Sequence, residues 1–311
     1  LIDKDFGLGI LFVNYVRALY TFSTAQRFNL PDEEKIYKLG LQIGQYWPVT
    51  IAYLFGGLNL IESGNEKLVL RYLDRMRTLS VEFDNDYPEV QYFRLKTHLY
   101  TKFRKLDEAT DIFNEAIAIT KNTDYKMQLM MAYCNCSIAN SLKLDFTEAR
   151  NALAQAEHFV NDFRIPMCHA LYYIAKTHIE IAELKVNKRD LHIRKKVLKT
   201  THDLVKIAQK VRSHLTESYR LHAVVYLLLN KPGKASRNFE KSIKMGLSFN
   251  GNLELSRTYF EAGKFLRDTS NKKERINGMN GTECLMKAKA MFEEMELEWD
   301  LKEYEKYLEG K

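Results

Sequence analysis

The window KLDEATDIFNEAIAIT, Lys105 to Thr120, sets a small residue at Ala109, a large apolar one at Phe113 and a small one again at Ala116. Residues four and then three apart share one face of an α-helix, so the three form a stripe. A bulky side chain between two alanines makes a ridge that a neighbouring helix can approach closely on either side. The same order returns as Val69, Leu73 and Met76, as Ala149, Leu153 and Ala156, and as Ala235, Phe239 and Ser242. It returns again as Ala288, Phe292 and Met295, with a weaker copy at Thr200, Leu204 and Ile207. Val69, Ala109 and Ala149 lie 40 residues apart, and the 86 residues from Ala149 to Ala235 hold two further units of about that length. Periods of this size mean stacked helical units, none of which can bury its apolar face alone.

Each stripe follows a second apolar-periodic segment, as two-helix units require: PVTIAYLFGGLNLIESG, PEVQYFRLKTHLYTKF, MMAYCNCSIANSLK and ESYRLHAVVYLLLN. In the first of these, Tyr53 with Gly56 and Gly57 sets small residues opposite the partner helix. Pro31, Pro48, Pro88, Pro166 and Pro232 each stand at or just before the start of a helical pattern, where the missing N–H costs nothing. The links ESGN, RKLD, LDFT and NKPG are short and turn-like, which forces antiparallel neighbours, and Asp145 with Glu148 has capping-box spacing. No segment alternates with period two over strand length. The expected class is all-α, a single array over residues 1–311 with N-terminal helices in 1–47, core repeats in 48–249 and a last repeat with an inserted loop and cap in 250–311. The insert TSNKKERINGMNG, Thr269 to Gly281, reads as a flexible loop, and Trp299 reads as the seal of the array's end.

The small–large–small stripe after a first helix with aromatic and small residues resembles the tetratricopeptide repeat with a stretched period. The usual Trp and the helix-ending Pro are mostly missing, and 40 residues exceed the customary 34. The last unit, LELSRTYFEAGKFLRD, an insert, then CLMKAKAMFEEMELEWDLKEYEKYL, is similar to closing repeats in the regulatory arrays of bacterial STAND-type signal-transducing ATPases. Those include MalT-like regulators and multidomain kinase or cyclase regulators. The resemblance implies a right-handed superhelical solenoid of six or seven hairpins, acting as the sensor or scaffold part of a larger protein. A first residue of Leu1 fits a segment of a longer chain. The sequence contains no G-x-x-x-x-G-K-[ST] loop, so the implied ATPase lies outside it.

Hydrophobic content of 46% with 28% charged residues is that of a folded protein with ample core. The apolar run FGLGILFVNYVRALYTF, Phe6 to Phe22, contains Asn14 and Arg17 and reads as a core helix rather than a membrane span. Cys134, Cys136, Cys168 and Cys284 are few for the length and read as free buried thiols in a reducing, cytoplasmic compartment. The motifs G-x-S-x-G, H-E-x-x-H, paired C-x-x-C and the EF-hand loop are absent, and the eight histidines are scattered. No catalytic role, cofactor or metal is expected. From Lys185 to Arg212 ten Lys and Arg face only Asp190 and Asp203, a local +8 against +7 for the whole chain. The stretch reads as a solvated or partner-facing helix, with Arg194, Lys195 and Lys196 as candidate contacts should it meet an acidic protein surface. Nucleic acid is a weak reading, because no Phe, Tyr or Trp interleaves the charges.

A superhelix carries its first helices on the inner wall. In the unit opened by Pro88 the inward positions are Gln91, Arg94, His98 and Lys102, the last three spaced four apart in one ridge. Neighbouring units contribute Ile51, Leu54 and Leu58, then Met131 and Ile138. Such a wall suits an extended peptide, a helix or a small polar ligand, or else these positions pack between repeats. Three functions therefore compete: recognition of a protein or peptide in the concave groove, capture of a small inducer, and a structural or oligomerising scaffold. The oligomeric state stays open.

Overall fold

The computed structural model describes residues 4–26, 33–121, 124–268 and 275–310. Those residues form fifteen α-helices and one 3-10 turn, with no β-strand among them. In chain order the helices are α1 (Lys4–Thr24), α2 (Glu33–Ile43), α3 (Trp47–Ser63), α4 (Glu66–Glu82), α5 (Asp86–Lys102), α6 (Leu106–Thr120), α7 (Lys126–Leu142) and α8 (Phe146–Val160). They continue as α9 (Pro166–Val186), α10 (Leu191–Ala208), the 3-10 turn Arg212–His214, α11 (Leu215–Leu228), α12 (Pro232–Phe249), α13 (Asn252–Asp268), α14 (Gly281–Glu294) and α15 (Glu298–Glu309).

The stripes are buried. Val69, Ala109, Ala149, Ala235 and Ala288 lie in the interior, as do Leu73, Phe113, Phe239 and Phe292. In α8 and α10 the stripe turns slightly, so Ala152 and Ala208 are buried while Leu153 and Ile207 are only half-buried. Sequence-adjacent helices pack against each other, giving a helical-repeat-like arrangement. The odd-numbered helices α3, α5, α7, α9, α11 and α13 also pack in a row, each on the next, and α13 returns to touch α3. That last contact brings the two ends of the row together. Gly57 sits at one such odd–odd contact: a Cβ there would stand 2.6 Å from Leu95 of α5.

The hairpin links share one backbone solution. Gly64, Arg104, Leu144 and Asn230 all adopt φ between 56° and 85°, the left-handed conformation that ends a helix. The amide after each reaches back to a carbonyl five residues earlier, as in Asn65 N to Leu60 O at 2.9 Å and Asp145 N to Asn140 O at 2.9 Å. Asp145 then caps α8 by accepting from the Glu148 amide at 3.1 Å. The full reciprocal capping box forms instead at Asn280 and Glu283. Pro48, Pro166 and Pro232 occupy the first turns of α3, α9 and α12. Pro88 is the third residue of α5, and Pro31 lies outside the described residues.

Two expectations change. Helix α1 is not a core helix throughout: Leu11, Ala18 and Phe22 are buried, but Phe6, Phe12, Val13, Val16 and Tyr20 are exposed. By length and composition α1 also passes as a membrane span. Trp299 does not seal an open end. It is half-buried, packs beside Leu106, Ala109 and Ala139, and lies under the Arg104 guanidinium at 4.2 Å. The residues of α15 that are buried are Asp300, which meets Arg104 and Arg257, and Tyr304. Of the glycine-bearing insert, residues 269–274 lie outside the described residues. The remainder holds a turn in which Ile276 and Met279 exchange two backbone hydrogen bonds of 3.0 Å.

Candidate functional site

The inward ridge of α5 is buried, not spread along an open groove: Gln91, Arg94, His98 and Lys102 are each at most 7% exposed. Ile51, Leu54, Leu58, Met131 and Ile138 are buried beside it. Two environments meet on this ridge, one saturated with counter-charge and one without any.

At the saturated end, the Lys102 ammonium stands 2.8 Å from Glu217 Oε2, 3.2 Å from Glu62 Oε1 and 3.3 Å from Glu254 Oε1. Glu254 also accepts from Arg220 Nη2 at 2.7 Å and from Arg257 Nη1 at 3.0 Å. Arg257 Nη2 donates to the Lys102 carbonyl at 2.6 Å and to Asp300 Oδ2 at 2.8 Å, and Arg104 Nη1 reaches Asp300 Oδ1 at 2.6 Å. Four cations and four carboxylates from α3, α5, α11, α13, α15 and the link after α5 thus neutralise one another out of water. Burial alone would depress the Lys102 ammonium, but Glu217, Glu254 and Glu62 together outweigh it and hold its pKa well above the ordinary value. Burial raises the Glu217 carboxyl, yet Lys102, His178 and Arg220 hold it well below the usual range. Glu62 is the exception. Burial, with Glu254 and Glu217 nearby, outweighs Lys102 and lifts it to about 7. Breaking such a cluster is costly because the remaining charges stay buried without partners. Its geometry is that of a clasp between the ends of the row, and Lys102 has no capacity left for a ligand.

The other end of the ridge has donors and, among the described residues, no carboxylate. Arg94 makes no ion pair among the described residues. Its Nη1 lies 3.4 Å from Gln91 Oε1, its Nη2 lies 3.8 Å from the Met167 sulfur, and the Phe55 ring lies 5.9 Å from its guanidinium carbon. Burial lowers its pKa, the expected sign for a cation taken out of water without compensation. Among the described residues, Gln91 Nε2 and both ring nitrogens of buried His214 have no hydrogen-bond partner. His98 Nδ1 meets Asn135 Oδ1 at 3.3 Å. Desolvation and the Lys102 charge push His98 down to about 3 and His214 to about 4, so both are neutral at pH 7. Arg94, His98, Asn135 and His214 border a small void of about 20 Å³, whose lining also includes Phe22 of α1. Phe22 packs edge-on to His214 at 6.0 Å and against Phe55 at 5.8 Å.

The basic stretch around α10 lies elsewhere. Arg194 is tied to the Lys188 and Leu229 carbonyls at 3.2 and 3.4 Å, and Lys196 lies 3.6 Å from buried Glu180. Lys195 is exposed. The structure therefore does not bring Arg194, Lys195 and Lys196 together with the α5 ridge. All four cysteines are buried and free, and burial raises Cys136 to about 12 and Cys284 to about 11. Among the described residues no group of three His, Cys, Asp or Glu is arranged to hold a metal.

The clasp partners were not singled out from sequence. Glu217 and Arg220 in α11, and Glu254 and Arg257 in α13, repeat the spacing E-x-x-R on the faces of first helices. Opposite charges recurring at apolar stripe positions are the signal that could have found them. No family model matches this sequence, and none of the curated proteins is detectably similar to it.

Proposed function

We propose that this chain is a non-catalytic binding and regulatory module, a right-handed, tetratricopeptide-like superhelical array whose inner wall recognises a protein or peptide. In this reading it is the sensor or scaffold part of a larger STAND-type signalling protein in the cytoplasm. The repeat reading is supported by α4, α6 and α8 starting at Glu66, Leu106 and Phe146, and by left-handed link residues at Gly64, Arg104 and Leu144. Both sets are spaced forty residues apart.

The observation that carries the functional reading is where α1 sits. Its C-terminal half inserts Phe22 among side chains of α3, α5, α7 and α9 and next to the 3-10 turn, and the Asn59 amide of α3 reaches the Ala18 carbonyl at 3.5 Å. The inner wall thus already accommodates one apolar helix, the form in which a partner helix would enter. Helix α1 carries a largely exposed outer face, so less apolar surface holds it than holds α3 or α5. Displacement of α1 is the implied switch, and a partner shifts it only by its difference in affinity for the two states. The small-inducer reading retains one specific support, a polar cavity of about 300 Å³ bordered by Gln26, Asn59, Glu62, Thr216 and Asn250.

Native-state hydrogen exchange tests the switch without knowing the partner. The amides of α1 are expected to open at a free energy well below that of global unfolding, while those of α3 and α5 exchange only with it. Helix α1 exchanging in step with α3 would mean a permanently filled interior and would reject the reading.

A further inference from the structure

A buried arginine without a carboxylate is an expensive arrangement, because a cation loses its hydration and gains no counter-charge. The same chain neutralises Lys102, Arg220 and Arg257 with acids at close range, whereas among the described residues none stands at Arg94. The groups around Arg94 point the same way. Its own guanidinium and the orphan Nε2 of Gln91 are donors, and neutral His214 adds one N–H donor beside one acceptor nitrogen. The rest of the lining is apolar, made by Leu58, Met131, Met167 and Leu171 together with the Phe22 ring of α1.

A donor cluster around one uncompensated cation, facing an apolar slot that holds an aromatic ring, describes a ligand with two ends. We propose that this part of the inner wall is a recognition site for a carboxylate carried on an aromatic or apolar body. Arg94, braced by Gln91 and flanked by His214, receives the carboxylate, and Phe22 of α1 is the resident plug of the apolar half. The proposal rests on the reading of the inner wall as a binding surface and gives that surface a ligand chemistry. A planar guanidinium matches a carboxylate with two parallel hydrogen bonds, a fit that an ammonium does not provide. The void of about 20 Å³ has room for about one water, so a larger ligand needs space that a lining side chain such as Phe22 must vacate. The carboxylate has two chemical sources, a free aromatic or branched acid and the C-terminus of a peptide ending in an apolar residue.

The test uses the full chain with Phe22→Ala, which vacates a ring-sized apolar space beside Arg94. The probes are benzoate, benzyl alcohol and inorganic phosphate, and the readouts are thermal unfolding and titration calorimetry. Benzoate is expected to bind this variant at least tenfold more tightly than benzyl alcohol and to raise its Tm in a saturable way, with phosphate inert. The double variant Phe22→Ala with Arg94→Gln is expected to lose the preference for benzoate. A short peptide ending in Phe with a free carboxylate, compared with its amide, separates the sources. Tenfold tighter binding than benzoate marks a peptide terminus, and equal or weaker binding marks a free acid. Equal response to benzoate and benzyl alcohol, a preference that survives Arg94→Gln, or stabilisation by phosphate alone would overturn the proposal. Should Phe22→Ala not fold, Arg94→Gln in the otherwise unchanged chain decides. Removing a buried charge that lacks a counter-ion is expected to leave Tm unchanged or raised, and a fall of several degrees would give Arg94 a structural partner and end the argument. The exchange behaviour of α1 does not enter any of these readouts, so failure here and failure of the switch are told apart.

Discussion

Replacing Lys102 by Met removes one charge and leaves three carboxylates, those of Glu217, Glu62 and Glu254, facing a space within 3.3 Å of where the ammonium was. Taking one partner from a buried pair costs about 3–5 kcal/mol, because the other charge stays desolvated and uncompensated. Arg220 and Arg257 still neutralise Glu254, so the loss is expected within that range rather than as a multiple of it. At roughly 2.1 cal/mol/K of unfolding entropy per residue over 311 residues, it corresponds to a fall in Tm of about 5–8 °C. The pH dependence separates this from a packing defect. Without the ammonium the clustered carboxylates bind protons more readily in the native state than in the unfolded chain, so acid stabilises the variant relative to wild type. The gap between the two, from denaturant unfolding at about pH 8 and about pH 5, is therefore expected to narrow on the acid side. A gap below about 1 kcal/mol, or one of the same size at both pH values, would refute the clasp.

Glu62 makes a related prediction of opposite dependence. Its native pKa of about 7 lies above the ordinary 4.5, so the native state holds the extra proton between those values and stability falls as pH rises through that window. Glu62→Gln is expected to match wild type near pH 5 and to exceed it by about 1–3 kcal/mol near pH 8, as read from urea unfolding. Leu144 is 71% exposed and holds φ of 66°, so Leu144→Gly is expected to stabilise by about 0.5–1 kcal/mol, measured as a rise in the denaturation midpoint with unchanged slope. Trp299→Ala, at a half-buried ring over which Arg104 stacks at 4.2 Å, is expected to cost about 1–3 kcal/mol in chemical denaturation, less than a fully buried Trp.

Local chemistry along the chain is sufficient for much of this architecture. The stripes at Val69, Ala109, Ala149, Ala235 and Ala288 are buried as their spacing requires, because helical periodicity is a property of the backbone and needs no knowledge of the partner. The links were legible for the same reason, although left-handed Arg104 and Leu144 carry no glycine to announce them. What local pattern could not supply was whether the α5 ridge stays exposed. That depends on α13 returning to α3, on Asp300 of α15 reaching Arg104 and Arg257, and on Lys102 meeting acids 115 and 152 residues away. Such contacts join residues far apart in sequence, and their positions depend on how all the intervening helices pack, which no local pattern records.

The same distinction divides the candidate site. That Arg94, His98 and Lys102 share a helix face follows from their spacing alone. That Lys102 is saturated with carboxylates while Arg94 has none among the described residues was decided by which distant helices arrived beside each. Charge compensation in an interior is a through-space quantity, and only the tertiary structure distributes it.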